Sequence, residues 1–352
     1  MAKAARRIGQ DVLAQRSRLI LREQAVSDRA KSQIDKITKQ WVRDLNRVIR
    51  TATDQTEQAR RAEVLFMIGQ ITKAQRDAAL RIASRVRRDA FRVERSRYSE
   101  IVGRSVARSR GGSLAVSFAA IPQRQVRALL SARIPGSQTV WNIGAQAERR
   151  ARSLLAKSLA ESVPLREIVP QLRTIIQSTS NEAASLARTT LMAASNEAAI
   201  ESYRDSGRVV GLRWNATFDT RTCPVCASNH DREFPIDDAP AIPAHPGCRC
   251  VWVPVFGNAN VDRDVRRASQ RNPDAGPSSS FSQWLRKGPP ERRADFFPSI
   301  IKRAAFESRV ASLDKLVHAD GTSTIDDSDL LASLSSKQRA RVERLAAKIR
   351  GG

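Results

Sequence analysis

All four cysteines of the chain and two of its three histidines lie in TCPVCASNHDREFPIDDAPAIPAHPGCRC, residues 222–250. Cys223 and Cys226 form a C-x2-C pair, Cys248 and Cys250 form a C-x-C pair, and His245 stands three residues before Cys248. Thiolates and imidazoles are zinc ligands, and a C-x2-C turn brings two sulfurs to one tetrahedral ion at about 2.3 Å. Residues two apart on a strand share a face, so the C-x-C pair can supply a second couple. Zinc in a structural role is therefore the expected cofactor, its four ligands drawn from Cys223, Cys226, His245, Cys248 and Cys250. Which four stays open, as do two other states of the same residues, metal-free thiols and disulfides. Pro224, Pro243, Pro246 and Gly247 imply rigid turns that present the ligands, while His230 reads as a surface loop residue.

Catalysis finds little support in the same stretch. Asp219, Asp231, Glu233, Asp237 and Asp238 are neighbours in sequence, but acids in turn-rich loops are usually solvated or cap backbone N–H groups. The chain has no HExxH, no Gly-rich phosphate loop and no Ser–His–Asp order. No catalytic residue is expected.

Helices and two strands must position this loop. Ile34, Ile37, Trp41, Leu45 and Val48 step by three and four, the spacing of one helix face, within a helical pattern that runs from about residue 8 to 108. A second stripe, Ile82, Val86, Ala90 and Val93, implies packing on a neighbouring helix. Arg81, Arg85, Arg88, Arg92 and Arg95 fall largely off that seam and are candidate contacts to DNA or a partner. SRGGS, Pro122 and IPGS break the pattern, so 109–140 reads as connecting turns with one short helix near 122–132. Helices resume after residue 138. Pro164 suits a first-turn position, Ser178 or Ser180 can cap a further helix, and Gly207 is placed to end it. RVVGLRWNAT then alternates as a strand, and CRCVWVPV returns as its partner. Residues 257–280 read as a linker by their Gly, Pro, Ser and Asn content. In the tail ADGTST makes a turn, and Asp326 to Asp329 favour a helix start.

The expected fold is mainly α with a small antiparallel β-sheet module (α+β). An extended helical N-terminal half (1–139) leads to a Cys-rich, β-hairpin-like module (within 140–256). The linker and a helical C-terminal extension (281–352) follow. Composition agrees with an extended helical assembly: 352 residues, 41% hydrophobic, only 5% aromatic. With 61 Lys and Arg against 36 Asp and Glu, the net charge is +25, which favours polyanion partners in a salt-dependent way. No apolar run is long enough for a membrane helix, and the basic start lacks the apolar core of a signal peptide. A reducing cytoplasm, where thiols stay free or bind metal, is the expected site of synthesis.

The order of ARTTLMAASNEAAIESYRDSG, LRWNATFDTRTCPVCASNHDREFPI and PAHPGCRCVWVPV resembles the phage head morphogenesis domain. That is the minor head protein family of tailed phages that includes the Mu protein F-like proteins. The family's positions fall on Arg188, Thr189, Asn196, Trp214, Asp219, Arg221, Thr222, Cys223 and Cys226. Past the loop they continue with His245, Pro246, Cys248, Arg249 and Cys250. The resemblance spans roughly 140–256, and the tail segments FSQWLRKGPP and DGTSTIDDSDLL look similar to the family's C-terminal extension. Two departures, Thr190 where glutamate is common and SNHDREF in place of a glycine-containing turn, speak against a catalytic role for that glutamate. The resemblance implies a virion component present in few copies and assembled with the portal inside the capsid, after synthesis in the host cytoplasm; the lack of a catalytic constellation makes a non-enzymatic role the expectation. Its implied partners are portal protein, scaffold or major capsid protein, and double-stranded DNA bound without sequence preference; no membrane is implied. The alternatives are a sequence-nonspecific DNA-binding or ejection protein, and an enzyme such as a nuclease or ADP-ribosyltransferase-like toxin.

Overall fold

A computed structural model describes residues 2–51, 57–110, 144–161, 163–269, 280–297, 299–318 and 324–351. Helix α1, Ala2–Thr51, buries Ala5, Ile8, Val12, Leu19, Ala30, Ile34, Trp41 and Leu45. Their intervals are built from threes and fours, so a single face carries apolar side chains over about 60 Å of helix. Helix α2, Glu57–Arg110, runs back along it. Helices α3, Ala145–Ala160, and α4, Leu165–Asp205, complete the bundle.

The core follows the bundle's length. One end gathers Trp41, Leu45, Val64 and Ile68 with Leu155, Ile168 and Leu172. The middle is made of Ile34, Ala78, Ala79, Ala83, Ala183 and Leu186, where small side chains let helix backbones approach. At the far end Val12, Leu19, Phe91, Tyr98, Met192 and Tyr203 merge with the sheet. Tyr98 and Tyr203 meet edge to face at 5.8 Å.

Two helical expectations need correction. Ser178 and Ser180 cap nothing, because α4 passes through them unbroken. The Ser178 and Thr179 hydroxyls donate back to the Ile175 and Ile176 carbonyls, and Ser180 donates to Asp35 of α1 at 2.6 Å. On α2 the buried line drifts off the expected stripe: Val93 is exposed, while Arg87 and Glu94 are buried beside Ala90, Phe91 and Tyr98. Arg22 of α1 reaches Glu94 at 2.5 Å and Arg87 reaches Glu197 of α4 at 2.6 Å, which is how these charges are accommodated in the interface. The helix expected near 122–132 and the ADGTST turn lie outside the described residues.

Three antiparallel strands close one end of the bundle in the order β2-β1-β3. They are β1, Gly211–Asn215; β2, Glu233–Pro235; and β3, Val251–Val255. The antiparallel β1–β3 pair was legible in the alternation, whereas β2 between them in the chain was not, and the register places Trp214 opposite Trp252, rings edge to face at 5.4 Å. Gly211 must be glycine: a Cβ there would stand 2.9 Å from the Phe234 carbonyl oxygen. Gly207, at φ +61°, turns the chain out of α4 as expected. Between β1 and β2 lies the short helix α5, Pro224–Asn229.

The stretch read as a linker contains a helix, α6, Ala259–Ser269. Asn258 accepts from the N–H groups of Asn260 and Val261, and Val265 is fully buried as α6 packs on α1. Composition hid it, since the Pro- and Ser-rich part begins only after residue 269. The C-terminal helices α7, Phe281–Lys287, α8, Pro290–Phe296, α9, Ile300–Glu307, α10, Asp327–Ala332, and α11, Ser336–Gly351 share a core of Phe281, Trp284, Phe296, Phe306, Leu316 and Val342. Phe218 links that core to the cysteine loop by stacking on Phe281 at 5.2 Å.

Asn196 joins helix to sheet. Its amide nitrogen donates to the Met192 and Cys250 carbonyls, and its oxygen accepts from the Trp252 N–H. Buried backbone groups left unpaired cost about 1–3 kcal/mol each. Asn196→Ala, which strands one carbonyl and one N–H of the Cys250–Trp252 segment, is expected to lower stability by about 2–4 kcal/mol in urea unfolding.

Candidate metal centre

Cys223 takes the N-cap position of α5 with Pro224 first inside the helix, so Cys226 sits one turn on and both sulfurs face the same side. The Cys226 N–H donates to the Cys223 sulfur at 3.4 Å, a contact that favours the thiolate. Gly247, at φ +77°, turns the returning segment so that His245, Cys248 and Cys250 converge from the other side. His245 Nε2 lies 3.1 Å from both Cys223 Sγ and Cys226 Sγ, and Cys226 Sγ lies 3.7 Å from Cys248 Sγ. The ligand atoms form two overlapping triads, Cys223–Cys226–His245 and Cys226–Cys248–Cys250, each within 4.8 Å. All five expected ligands are thus brought together, and all four cysteines are free.

This donor set fits a metal ion. A tetrahedron with bonds of about 2.3 Å has a sulfur–sulfur edge of about 3.8 Å, close to the Cys226–Cys248 separation. The sulfur–nitrogen edges are shorter than the corresponding ~3.6 Å and would open on binding. His245 Nδ1 faces the Pro246 carbonyl at 2.9 Å, so a proton there leaves Nε2 as the ligand atom, the outer-shell arrangement usual for metal-bound histidine. Electrostatics agree in direction. Hydrogen bonding from Cys226, then from His245, pulls the Cys223 thiol down to about 5 against the effect of burial. Cys223 in turn pushes His245 up to about 9. Contacts with Cys226 and Cys250 pull Cys248 well down, whereas Cys226 is held up chiefly by Cys223 and Cys250 by burial.

The scaffold around the sulfurs is tied by charge. Arg249 donates two bonds to the Asp219 carboxylate, at 2.5 and 2.7 Å, joining the residues before the knuckle to those after the loop. Thr222 donates to the Thr217 carbonyl and to Asp219. The Gly247 N–H donates to Thr189 of α4, and Arg188 pairs with Glu23 and Ser27 of α1. Arg16, buried in α1, donates to Asn215 at 2.6 Å, and burial pulls its guanidinium down to about 10.

Residues 150–253 match the family described as Phage Mu protein F like protein. No curated protein and no solved structure matches the chain. The Mu F-like segment takes in most of α3, all of α4, β1, β2 and the whole cysteine loop, and ends inside β3. Several of the positions named above serve the architecture of this segment: Arg188 ties α4 to α1, Thr189 holds the loop against α4, Asn196 and Trp214 anchor the sheet, and Asp219 with Arg249 clamps the residues before the knuckle to those after the loop.

His230 is no surface residue. It is buried, its Nδ1 accepts from the Ala216 N–H at 3.1 Å, and its ring abuts Phe218 at 4.8 Å. Of the five arginines marked on α2, Arg81, Arg85, Arg88 and Arg92 are exposed, whereas Arg95 is committed to Asp205 at 2.8 Å. Nothing in the sequence signalled Arg16 and Arg87 as buried participants or Glu23 as a half-buried one, since their partners lie far along the chain.

Burial pushes the Asp219 carboxyl up, but the hydrogen bonds and charge of Arg249 outweigh it and hold its pKa below the ordinary value. A carboxylate depressed on folding stabilises above its unfolded pKa and ceases to as pH falls through the folded one. Asp219→Asn is therefore expected to cost about 1–2 kcal/mol at pH 7. In urea unfolding at pH 7 and pH 3, the gap to wild type should narrow at the lower pH.

Proposed function

We propose that this chain is a minor head protein of a tailed bacteriophage, held at the portal vertex and in contact with packaged DNA. The observation that carries this reading is the Phage Mu protein F like match over 150–253, which coincides with the part of the fold closed by the cysteine loop. A head role needs a fixed shape and a tolerance of concentrated DNA, and the +25 charge supplies the second. No helix among the described residues is long and apolar enough to cross a membrane.

In this reading the cysteine cluster binds one zinc ion that holds the loop's shape. When bound, the metal supplies cross-linking between the knuckle and the returning segment. The acids nearby support a non-enzymatic site: Asp219 is held by Arg249, Asp231 and Glu233 by Arg213, and Asp237 by Arg204, three separate arginines rather than one converging pocket. The organisation proposed is a helical docking region over 1–139, the head morphogenesis segment over 140–256, and a C-terminal extension over 281–352.

Localisation tests the main reading. Averaged cryo-electron microscopy of heads should show a few copies at the portal vertex, and copies confined to the tail or absent from virions would remove it. Metal analysis of protein purified under reducing conditions should find about one zinc per chain. Cys226→Ser should lose it, and acidification should release it as protons take the ligands.

A second reading, a DNA-binding protein without sequence preference, draws on two exposed basic surfaces. One is the α2 face with Arg88 and Arg92; the other is α11, with Lys337, Arg339, Arg341, Arg344, Lys348 and Arg350 all exposed. Affinity for a duplex should fall steeply with salt, and Arg88→Glu with Arg92→Glu should lower the log–log slope by about 2 if both arginines meet phosphates.

A further inference from the structure

Between α1 and α2 runs an open cleft of about 510 Å³. Its floor is apolar: Val26 and Ile37 from α1, Ile82 and Val86 from α2, and Leu191 of α4 at the bottom. On α2 the line Ala78, Ile82, Val86 repeats every four residues, an apolar strip of about 12 Å. Ile82 and Val86 belong to the stripe whose spacing implied packing on a neighbouring helix, yet both are left only half-buried. Arg22 and Arg29 stand on one bank, Arg81 and Arg85 on the other, with Asp89 the one acid on the lining. Arg22 is engaged by Glu94 and Arg29 touches the Ala25 carbonyl. Arg81 and Arg85 have no hydrogen-bond or ion-pair partner among the described residues.

We propose that this cleft docks an amphipathic helix of a partner protein, with leucine-type side chains on the Ile82–Val86 floor and carboxylates on both banks facing the arginines. Charge complementarity selects the occupant. Two cationic banks around an apolar trough match a helix whose anchors recur every three or four residues and whose flanks carry Asp or Glu. The guanidinium forks suit carboxylates on either side. A DNA duplex would satisfy the arginines but would gain nothing from the apolar floor, since its phosphate backbone buries no apolar surface there. The proposal goes beyond the head-protein reading and stands whether or not the chain resides in a virion.

The test uses the full chain and a fluorescein-labelled peptide of about 18 residues, with Leu on one helical face and Glu on both flanks. Its Glu→Lys counterpart and a duplex of about 20 base pairs are run in parallel. Fluorescence anisotropy should show binding of the acidic peptide and not of the lysine version. The exposed pair Arg81→Glu with Arg85→Glu should weaken it about tenfold or more, as should Ile82→Ser, with circular dichroism unchanged. Arg88→Glu with Arg92→Glu should leave peptide binding intact. Three results would overturn the proposal: no binding of the acidic peptide, equal binding by wild type and both cleft variants, or Ile82→Ser weakening DNA as much as peptide.

Discussion

Everything at the closed end of this molecule depends on how a buried carboxamide is spent. Asn196 sits inside α4, where an asparagine is ordinarily a poor choice because its side chain competes with the helix's own bonds. Here it satisfies a helix carbonyl and, with the same amide, the carbonyl of Cys250 and the N–H of Trp252. Those strand groups lie at the join between the cysteine loop and β3, where no neighbouring strand takes them. One side chain thus fixes the height of the sheet on the helix and the point from which Cys250 and Cys248 face the knuckle. Tyr203, which donates to the Trp252 carbonyl at 3.3 Å, secures the next group along.

A second constraint is charge. A chain with this many arginines has to bury some of them, and each buried one is matched. Arg249 has Asp219, Arg87 has Glu197 and Arg213 has Asp231 and Glu233 as ion pairs, while Arg16 donates to Asn215 and Arg61 to Ser158 and the Leu155 and Val163 carbonyls. Buried pairs of this kind add little net stability, because desolvation offsets attraction. Breaking one leaves an uncompensated charge, so the pairs act as registry marks between elements far apart in sequence. Arg88 and Arg92 on the outer face of α2 and the basic residues along α11 other than Arg339, which pairs with Glu343, have no such role, which leaves them available to partners.

The cysteine–histidine cluster was largely legible in the sequence and the bundle's interior was not, for a physical reason. Metal ligands come as short local pairs whose spacing is set by the ion, so Cys223 with Cys226 and Cys248 with Cys250 announce themselves. The pairing of the Trp214 and Trp252 strands was legible for a similar reason, since strand alternation is local. His230 misled because a lone histidine in a loop rich in turns looks solvated, and nothing nearby in sequence signals Ala216 or Phe218. Ser178 and Ser180 misled because the same hydroxyl that caps a helix can also fold back on a helix carbonyl, as Ser178 does, or reach a neighbouring helix, as Ser180 does to Asp35. Val93 misled because a stripe extrapolated along a long helix drifts when its partner changes from one helix to another.

The three long helices also set a distance. From Leu165, packed with Trp41 and Leu45 at one end, to Thr189, which touches Gly247 of the cysteine loop, α4 advances by about 36 Å. The helices between are locked by alanines close enough to resist sliding. The bundle therefore works as a strut: whatever grips its α3 end and whatever meets its cysteine end are kept apart by the length of α4.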